Sequence, residues 1–179
     1  LKNGFNNNII EFCEFDHIGG HGLLLADASS NNLILNCDAH HCQDPLSPIP
    51  NDGADGLACQ ENSGANNTFR YCRAWWVTDD GIDTYHTPGF VTVEGCWSFW
   101  NGYNPGTFTH AVGGDGDGFK VGGGGPTVTS PINQNRRSYI NCLAFQNWLA
   151  GFDHNFDNDT ETWQSVLYNC TAYANGRDP

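Results

Sequence analysis

Short apolar tracts recur along the chain in one fixed arrangement around cysteine. The repeated unit is a cysteine, a variable residue, a small residue and an aromatic residue, as in Cys72-Arg-Ala-Trp and Cys142-Leu-Ala-Phe. The aligned cysteines are Cys13, Cys37, Cys72, Cys96, Cys142 and Cys170. A large apolar residue stands three positions before each of the last five cysteines: Ile34, Phe69, Val93, Tyr139 and Leu167. An asparagine stands five positions after each of the last three cysteines: Asn101, Asn147 and Asn175. We expect these asparagines to form a ladder.

The spacing of the cysteines predicts the architecture. Successive members are 24, 35, 24, 46 and 28 residues apart, which indicates a unit of about two dozen residues with insertions in its loops. A unit this short cannot bury its apolar face alone and must stack on its neighbours. The Leu-x-x-Leu-x-Leu pattern of leucine-rich repeats and the Trp-Asp signature of propeller blades are both absent. The sequence therefore predicts an all-β fold, a parallel β-helix or β-solenoid, as a single domain over residues 1–179.

Composition agrees with this fold and narrows the partners. The chain has 22 glycines and only 15% charged residues, a mixture rich in turn formers and poor in helix formers. Its formal charge of −13 argues against a nucleic-acid surface, and no apolar run has the length of a membrane span. We expect a soluble monomer. The absence of methionine leads us to expect a piece of a longer protein that lacks one or both ends.

The eight cysteines leave two alternatives open. Six recur at the repeated position, which favours buried thiols stacked in the core. The alternative is at least one disulfide, for which Cys42 and Cys59 are the least regular candidates.

A second aligned tract, of the form Gly-apolar-x, brings acidic residues together. In a solenoid, equivalent residues of adjacent coils lie about 4.8 Å apart. The residues before this glycine include Asp55 and Asp80, which should be neighbours, while Asp79 and Asp83 lie on the same short segment as Asp80. Four carboxylates this close repel one another unless a cation neutralises them, and hard oxygen ligands suit Ca²⁺. The bland alternative is that each aspartate is a solvated turn residue, because Asp-Gly is a common turn dipeptide.

Lys120 falls in the same column as Asp83, one coil later. It could simply pair with the carboxylates. The functional alternative is a general base, because a nearby Ca²⁺ would disfavour the ammonium form and make the neutral amine accessible.

Three tracts of this sequence resemble those of a known family. They are Cys-Arg-Ala-Trp followed by Asp79-Asp80-Gly-Ile-Asp83, then Val-Thr-Val-Glu-Gly-Cys-Trp-Ser-Phe-Trp-Asn-Gly, then Gly-Asp-Gly-Asp-Gly-Phe-Lys120-Val-Gly-Gly. The chain resembles polysaccharide lyase family 9 over roughly residues 51–175. Two segments depart from the family pattern, the Pro-rich insertion at 45–50 and the segment 104–111, and both could reshape the groove.

The resemblance implies a right-handed helix and a specific chemistry. Asp55, Asp79, Asp80 and Asp83 would bind the catalytic Ca²⁺, and Lys120 would be the Brønsted base. The substrate would be an acidic polysaccharide, polygalacturonate (pectate), cleaved by β-elimination. A polymeric substrate that cannot enter cells further implies a secreted protein.

Three rivals remain open at this stage. A rhamnogalacturonan lyase would use the same elimination on an alternating backbone. A non-catalytic β-helix would bind polysaccharide and hold structural calcium on the same carboxylates. A β-helical glycoside hydrolase would also need aspartate pairs.

Other conspicuous side chains have weaker functional interpretations. Asp153 could orient Lys120, or could hold a structural Ca²⁺ with Asp157 and Asp159. Packing is favoured over sugar stacking for the aromatic residues Trp75, Trp76, Trp97, Trp100 and Tyr103. Surface pairing is favoured over a role in polarising substrate for the arginines Arg70, Arg73, Arg136 and Arg137.

Overall fold

The computed structural model describes residues 1–123, 135–155 and 164–176, which form three parallel sheets of short strands. The first sheet contains β1 (Ile9–Glu11), β4 (Leu33–Leu35), β7 (Asn67–Arg70), β10 (Val91–Glu94), β13 (Asn135–Ile140) and β16 (Gln164–Tyr168). The second contains β2 (Glu14–Asp16), β5 (Asp38–His40), β8 (Arg73–Trp75), β11 (Trp97–Phe99), β14 (Leu143–Phe145) and β17 (Thr171–Tyr173). The third contains β3 (Leu23–Leu25), β6 (Leu57–Cys59), β9 (Ile82–Asp83), β12 (Phe119–Lys120) and β15 (Phe152–Asp153).

Each coil contributes one strand to each sheet in turn, which is the parallel β-helix that the repeat predicts. Strands pair only with their equivalents in neighbouring coils, as in β4 with β7 and β5 with β8. The described residues contain no helix long and apolar enough to cross a membrane.

The interior is built from the columns that the sequence aligns. Ile34 pairs with Phe69, Phe69 with Val93, and Val93 with Tyr139, and all four side chains are fully buried. The eight cysteines all lie within the described residues and are free thiols, six of them buried. The expectation of buried thiols is therefore met, and Cys42 and Cys59 form no disulfide.

The turn between the first and second sheets has one conformation in all six coils. The residue before each aligned cysteine has a positive φ between 50° and 63°; these residues are Phe12, Asn36, Tyr71, Gly95, Asn141 and Asn169. Asparagine and glycine adopt this left-handed conformation at the lowest cost, which explains why Asn-Cys recurs along the chain. In the four inner coils the cysteine that follows this turn is buried, at Cys37, Cys72, Cys96 and Cys142.

The predicted asparagine ladder is present. Asn101 donates to Oδ1 of Asn147 at 2.9 Å, and Asn147 donates to Oδ1 of Asn175 at 2.8 Å. A second ladder, which the sequence did not suggest, joins the amides of Asn8, Asn32 and Asn67 on three other coils.

Candidate metal and catalytic site

The third sheet places the predicted column of residues in register. Ala58 pairs with Asp83, Asp83 with Lys120, and Lys120 with Asp153. The short strands β9 and β12 thus position a carboxylate and an amine on adjacent coils. The residues that precede Asp83 and Lys120 in the two strands are Ile82 and Phe119. Both are fully buried and anchor the strands to the core.

Three of the four predicted carboxylates converge on one point. Oxygen atoms of Asp55, Asp79 and Asp80 lie within 4.8 Å of one another, and all three residues are buried. Asp83 joins them through an amide: Nε2 of Gln60 lies 2.6 Å from Oδ2 of Asp55 and 2.5 Å from Oδ2 of Asp83. The structure therefore brings all four aspartates into one cluster, with Gln60 between two of them.

The backbone fixes Asp79 from two sides. The amide of Gly53 donates to its Oδ2 at 2.6 Å, and the amide of Asp115 donates to its Oδ1 at 2.8 Å. Gly53 follows the Pro-rich insertion at 45–50, and Asp115 follows the segment 104–111. The two departures from the family pattern thus both lead directly to the acidic cluster.

These two segments also contact each other. The side-chain amide of Asn51 donates to the carbonyl of Val112 at 3.1 Å. Gly114 passes so close to the chain that a Cβ there would lie 2.0 Å from the carbonyl oxygen of Thr78. Only glycine fits at this crossing, which explains part of the glycine-rich tract before Lys120.

Lys120 lies between two carboxylates. Its side chain is 9% exposed, and Nζ lies 2.8 Å from Oδ2 of Asp80 and 2.8 Å from Oδ2 of Asp115. The ring of Tyr85 lies beside it, with Nζ 5.8 Å from the ring centroid. Burial opposes the charged form, but attraction to Asp80 and Asp83 and the hydrogen bond to Asp115 outweigh it and raise the pKa of Lys120.

Burial dominates the ionisation of the aspartates. It raises the pKa of Asp79 and Asp83 well above the usual range, with the negative charges of neighbouring aspartates adding to the effect. Burial also raises the pKa of Asp80 to about 7, although Lys120 acts in the opposite direction. One ammonium group is therefore too little positive charge for this many buried carboxylates, and the site favours a further cation.

The donor set fits a hard divalent ion. Asp55, Asp79, Asp80 and Asp83 offer only carboxylate oxygens, which Ca²⁺ accepts in flexible geometry with six to eight ligands. Histidine and cysteine, which zinc prefers, supply no ligand to this group of four.

Four further residues at the site were missed by the sequence argument. Nδ1 of His21 lies 3.0 Å from Oδ2 of Asp55, Gln60 bridges two aspartates and Asp115 contacts Lys120. Asp117 donates its backbone amide to Oδ1 of Asp80 at 2.7 Å. His21 and Asp117 stand in the same aligned column as Asp55. This column could therefore have indicated from the sequence that both residues lie near the site. Gln60 and Asp115 lie in turns, whose geometry the repeat does not specify.

Asp117 extends the acidic group along the third sheet. Its Oδ1 accepts a hydrogen bond from the amide of Ala150 at 2.7 Å, while its Oδ2 is buried with no hydrogen-bond partner among the described residues. Burial, reinforced by the charge of Asp80, raises the pKa of Asp117 to about 8.

The remaining candidates are held by structural contacts. Asp153 lies beside Lys120 in the sheet, whereas Asp157 and Asp159 lie outside the described residues. Arg70 pairs with Glu94, and Arg73 pairs with Asp38.

Arg137 and four of the five aromatic candidates pack against other residues of the β-helix, whereas Trp97 is 48% exposed. Arg137 is fully buried and donates to the carbonyl groups of Thr84 and Thr87, so the expected surface pairing is wrong for this residue. The side chain of Arg136 lies outside the described residues. The ring of Trp75 stacks between His40 and Phe99 on the outer face of the second sheet. Trp76, Trp100 and Tyr103 form a second cluster of rings.

The fold and the site together define a parallel β-helix with a buried acidic centre and a single lysine. Residues 2–178 match the family described as Pel9A-like, right-handed beta helix region. The chain belongs to this family, and its β-helix is right-handed.

Curated relatives and solved structures agree with this assignment. Pectate lyase L of Dickeya dadantii is 33% identical over 96% of this chain and 37% of its own length. Pectate lyase PEL9 of Emericella nidulans is 34% identical over 86% of this chain and 39% of its own length. The crystal structure of pectate lyase Pel9A is 32% identical, with a TM-score of 0.79 over 95% of this chain and 39% of that one. A rhamnogalacturonan lyase structure is 34% identical, with a TM-score of 0.58 over 80% of this chain and 36% of that one. This chain thus spans about two fifths of the length of these proteins.

Proposed function

We propose that this protein is a calcium-dependent polysaccharide lyase that cleaves polygalacturonate by β-elimination. The observation that carries the proposal is a buried lysine amine, Lys120, held beside a cluster of buried aspartates on the third sheet. Its similarity to proteins named pectate lyase supports the choice of substrate class.

Asp55, Asp79, Asp80 and Asp83 would hold the calcium ion. When bound, the ion would neutralise these carboxylates, bind the C6 carboxylate of the uronate and make the proton on C5 more acidic. Backbone donors already fix Asp79, and Gln60 fixes the pair Asp55 and Asp83, so this part of the site is preorganised.

Lys120 would act as the base at its Nζ atom. It takes the proton from C5, the electrons of that bond form the double bond between C4 and C5, and the bond from C4 to the glycosidic oxygen breaks. The electron pair of the broken bond leaves with this oxygen, which takes up a proton from solvent to become the hydroxyl group of the released chain. The base must enter this step as a neutral amine, so the pull of Asp80 and Asp83 on its proton has to be cancelled first. Asp115 accepts a hydrogen bond from Nζ and would orient the amine toward the sugar.

The cellular setting follows from the substrate. We propose an acidic polysaccharide as the partner, action outside the cell because the polymer cannot enter it, and one β-helix domain over residues 1–179 that works as a monomer.

A rhamnogalacturonan lyase is the second candidate, and the similarity to a structure of that name favours it. The elimination chemistry and the residues would be unchanged, because both polymers carry a uronate. The masses of the products distinguish the two, since only rhamnogalacturonan gives oligomers that alternate between two sugars.

The test is the ultraviolet absorbance of the unsaturated uronide, measured for the protein at its natural length with either polymer, with calcium and with a chelator. We expect a calcium-dependent rise on polygalacturonate. If neither polymer produces the absorbance, the lyase assignment is wrong. Calcium binding that persists without any activity would then indicate a polysaccharide-binding β-helix.

A further inference from the structure

Histidines gather at the corner of the first two coils where β2 and β5 end. Asp16 at the end of β2 pairs in register with His40 at the end of β5. The next residues, His17 and His41, both have φ near 54° and their rings stack with centroids 4.8 Å apart. Parallel stacking thus places three imidazoles and one carboxylate from two coils at one corner.

One oxygen atom is the focus of this group. Oδ1 of Asp16 lies 2.6 Å from Nδ1 of His17, 2.9 Å from Nδ1 of His40 and 3.3 Å from Nδ1 of His41. The Nδ1 atoms of His40 and His41 are themselves 2.7 Å apart. All three imidazoles therefore present the same ring atom to the same point.

Hydrogen bonds alone satisfy this arrangement poorly. Nε2 of His40 lies 2.9 Å from Oε1 of Glu14 and donates to it in the tautomer that carries the proton on Nε2. In the neutral ring, Nδ1 of His40 then has a lone pair, and it faces the lone pairs of Asp16 Oδ1 at 2.9 Å. A cation between these atoms would replace the repulsion with coordination.

The surroundings of His40 are those of an oriented metal ligand. A histidine that binds a metal through one nitrogen commonly donates its other N–H to a carboxylate, which fixes its tautomer and its direction. Glu14 occupies that position, and the ring is also stacked on Trp75 with centroids 4.3 Å apart.

We propose that Asp16, His17, His40 and His41 form a binding site for a divalent transition-metal ion of the zinc class. Three imidazole nitrogens and one carboxylate oxygen are a donor set for zinc, whereas calcium prefers oxygen alone. In a tetrahedral zinc site with bonds of 2.0–2.1 Å the ligand atoms lie about 3.3 Å apart. The distances from Oδ1 of Asp16 to the three Nδ1 atoms, 2.6, 2.9 and 3.3 Å, are close to that separation. The ion would join the first coil to the second.

The experiment is a titration of the untagged protein with Zn²⁺ in the presence of excess calcium, followed by calorimetry and by the melting temperature. We expect about one Zn²⁺ per chain and a higher melting temperature, because the ion binds only the folded state. Cobalt in place of zinc should give the visible absorption of a tetrahedral site. His41→Ala should abolish saturable binding, and Glu14→Ala should weaken it about 10- to 100-fold.

Two variants serve as matched controls. His86→Ala removes an exposed imidazole outside the cluster, and Cys13→Ser removes the exposed thiol next to Glu14. Both should bind Zn²⁺ as the parent protein does. The proposal is overturned if the parent shows no saturable binding, or if His41→Ala binds Zn²⁺ as tightly as His86→Ala.

Discussion

Two polar columns run through the same β-helix and differ in how they are satisfied. In the asparagine ladder each amide donates to the next, as from Asn101 to Asn147 at 2.9 Å, and no charge is involved. In the acidic column, Asp55 and Asp80 occupy equivalent positions one coil apart, and their carboxylates can only accept hydrogen bonds. Stacking alone satisfies the hydrogen bonds of the asparagine ladder, whereas the carboxylates of the acidic column still need positive charge.

This difference separates a structural column from the column that we propose to be functional. The asparagines are neutral and bonded in series, so the ladder is complete within the protein. The aspartates are supported by Lys120, Gln60 and backbone amides, yet the pKa values of Asp79 and Asp83 remain well above the usual range because the residues are buried. A site with such a deficit is suited to bind a cation and, through it, an anionic substrate.

Loss of the base should have the largest effect. Lys120→Ala should lower the rate of elimination by about 10²- to 10⁴-fold, the usual contribution of a general base. The initial rate of ultraviolet absorbance on polygalacturonate measures it. Lys2→Ala is the matched control, because Lys2 is the other lysine and lies at the surface beside Glu61. Equal rates for the two variants would remove Lys120 from the mechanism.

Replacing an asparagine of the ladder with an aspartate should strongly destabilise the fold. Asn147→Asp places an acceptor against the carbonyl oxygen of Ser98 and Oδ1 of Asn175, both of which now accept from Asn147. We expect a loss of about 3 kcal/mol in the free energy of unfolding, measured with urea. Asn7→Asp, at an exposed asparagine outside both ladders, should change it by less than about 0.5 kcal/mol. A stable Asn147→Asp protein would show that the ladder tolerates charge.

Calcium should stabilise the acidic column and leave the ladder unaffected. At a calcium concentration about 100 times the Kd, the gain is about 2.7 kcal/mol, or about 5 to 10 °C in melting temperature for a chain of this size. Asp83→Asn should lose most of this gain, whereas Asp27→Asn at an exposed position should keep it. An equal calcium response in both variants would place the ion elsewhere.

The pH dependence of stability without calcium is the smallest expected effect, when the change is taken over one pH unit. An aspartate whose pKa is higher in the folded than in the unfolded state binds more protons when folded, so stability falls as pH rises between the two values. For Asp80 this interval runs from 3.8 to about 7, with a loss of at most about 1.4 kcal/mol per pH unit. The urea midpoint in chelator should therefore decline over this range. Asp80→Asn should make the decline shallower, and a rising midpoint would contradict the assigned shifts.

Sequence alone was sufficient to predict the fold and the columns, because stacking is a repeating geometry. Aligning the tract Gly-Ile-Asp83 with the tract Gly-Phe-Lys120 predicts the register of Asp83 with Lys120, and the third sheet has this register. Aligning Cys72 with Cys96 predicts the register of the second sheet, which is also observed. The inward-facing apolar column and the asparagine ladder follow from the same alignment.

The turn residues of the site could not be predicted in this way. Gln60 and Asp115 reach the cluster from turns whose course depends on local backbone geometry and on the contact between two insertions. The histidine corner was also missed, because His17 and His41 lie one residue beyond the strands and only their shared turn conformation brings them together. The aligned columns determine which residues are neighbours on adjacent coils, whereas the turns determine which residues are neighbours around the axis of the β-helix.

The most direct test of the account is the initial rate of ultraviolet absorbance on polygalacturonate as a function of calcium concentration, compared between the parent protein and Asp83→Asn. We predict a rate that rises from zero and saturates, with half-saturation at a calcium concentration at least about tenfold higher in the variant. A rate that is the same with calcium and with chelator would contradict the claim that the acidic column works by holding the ion.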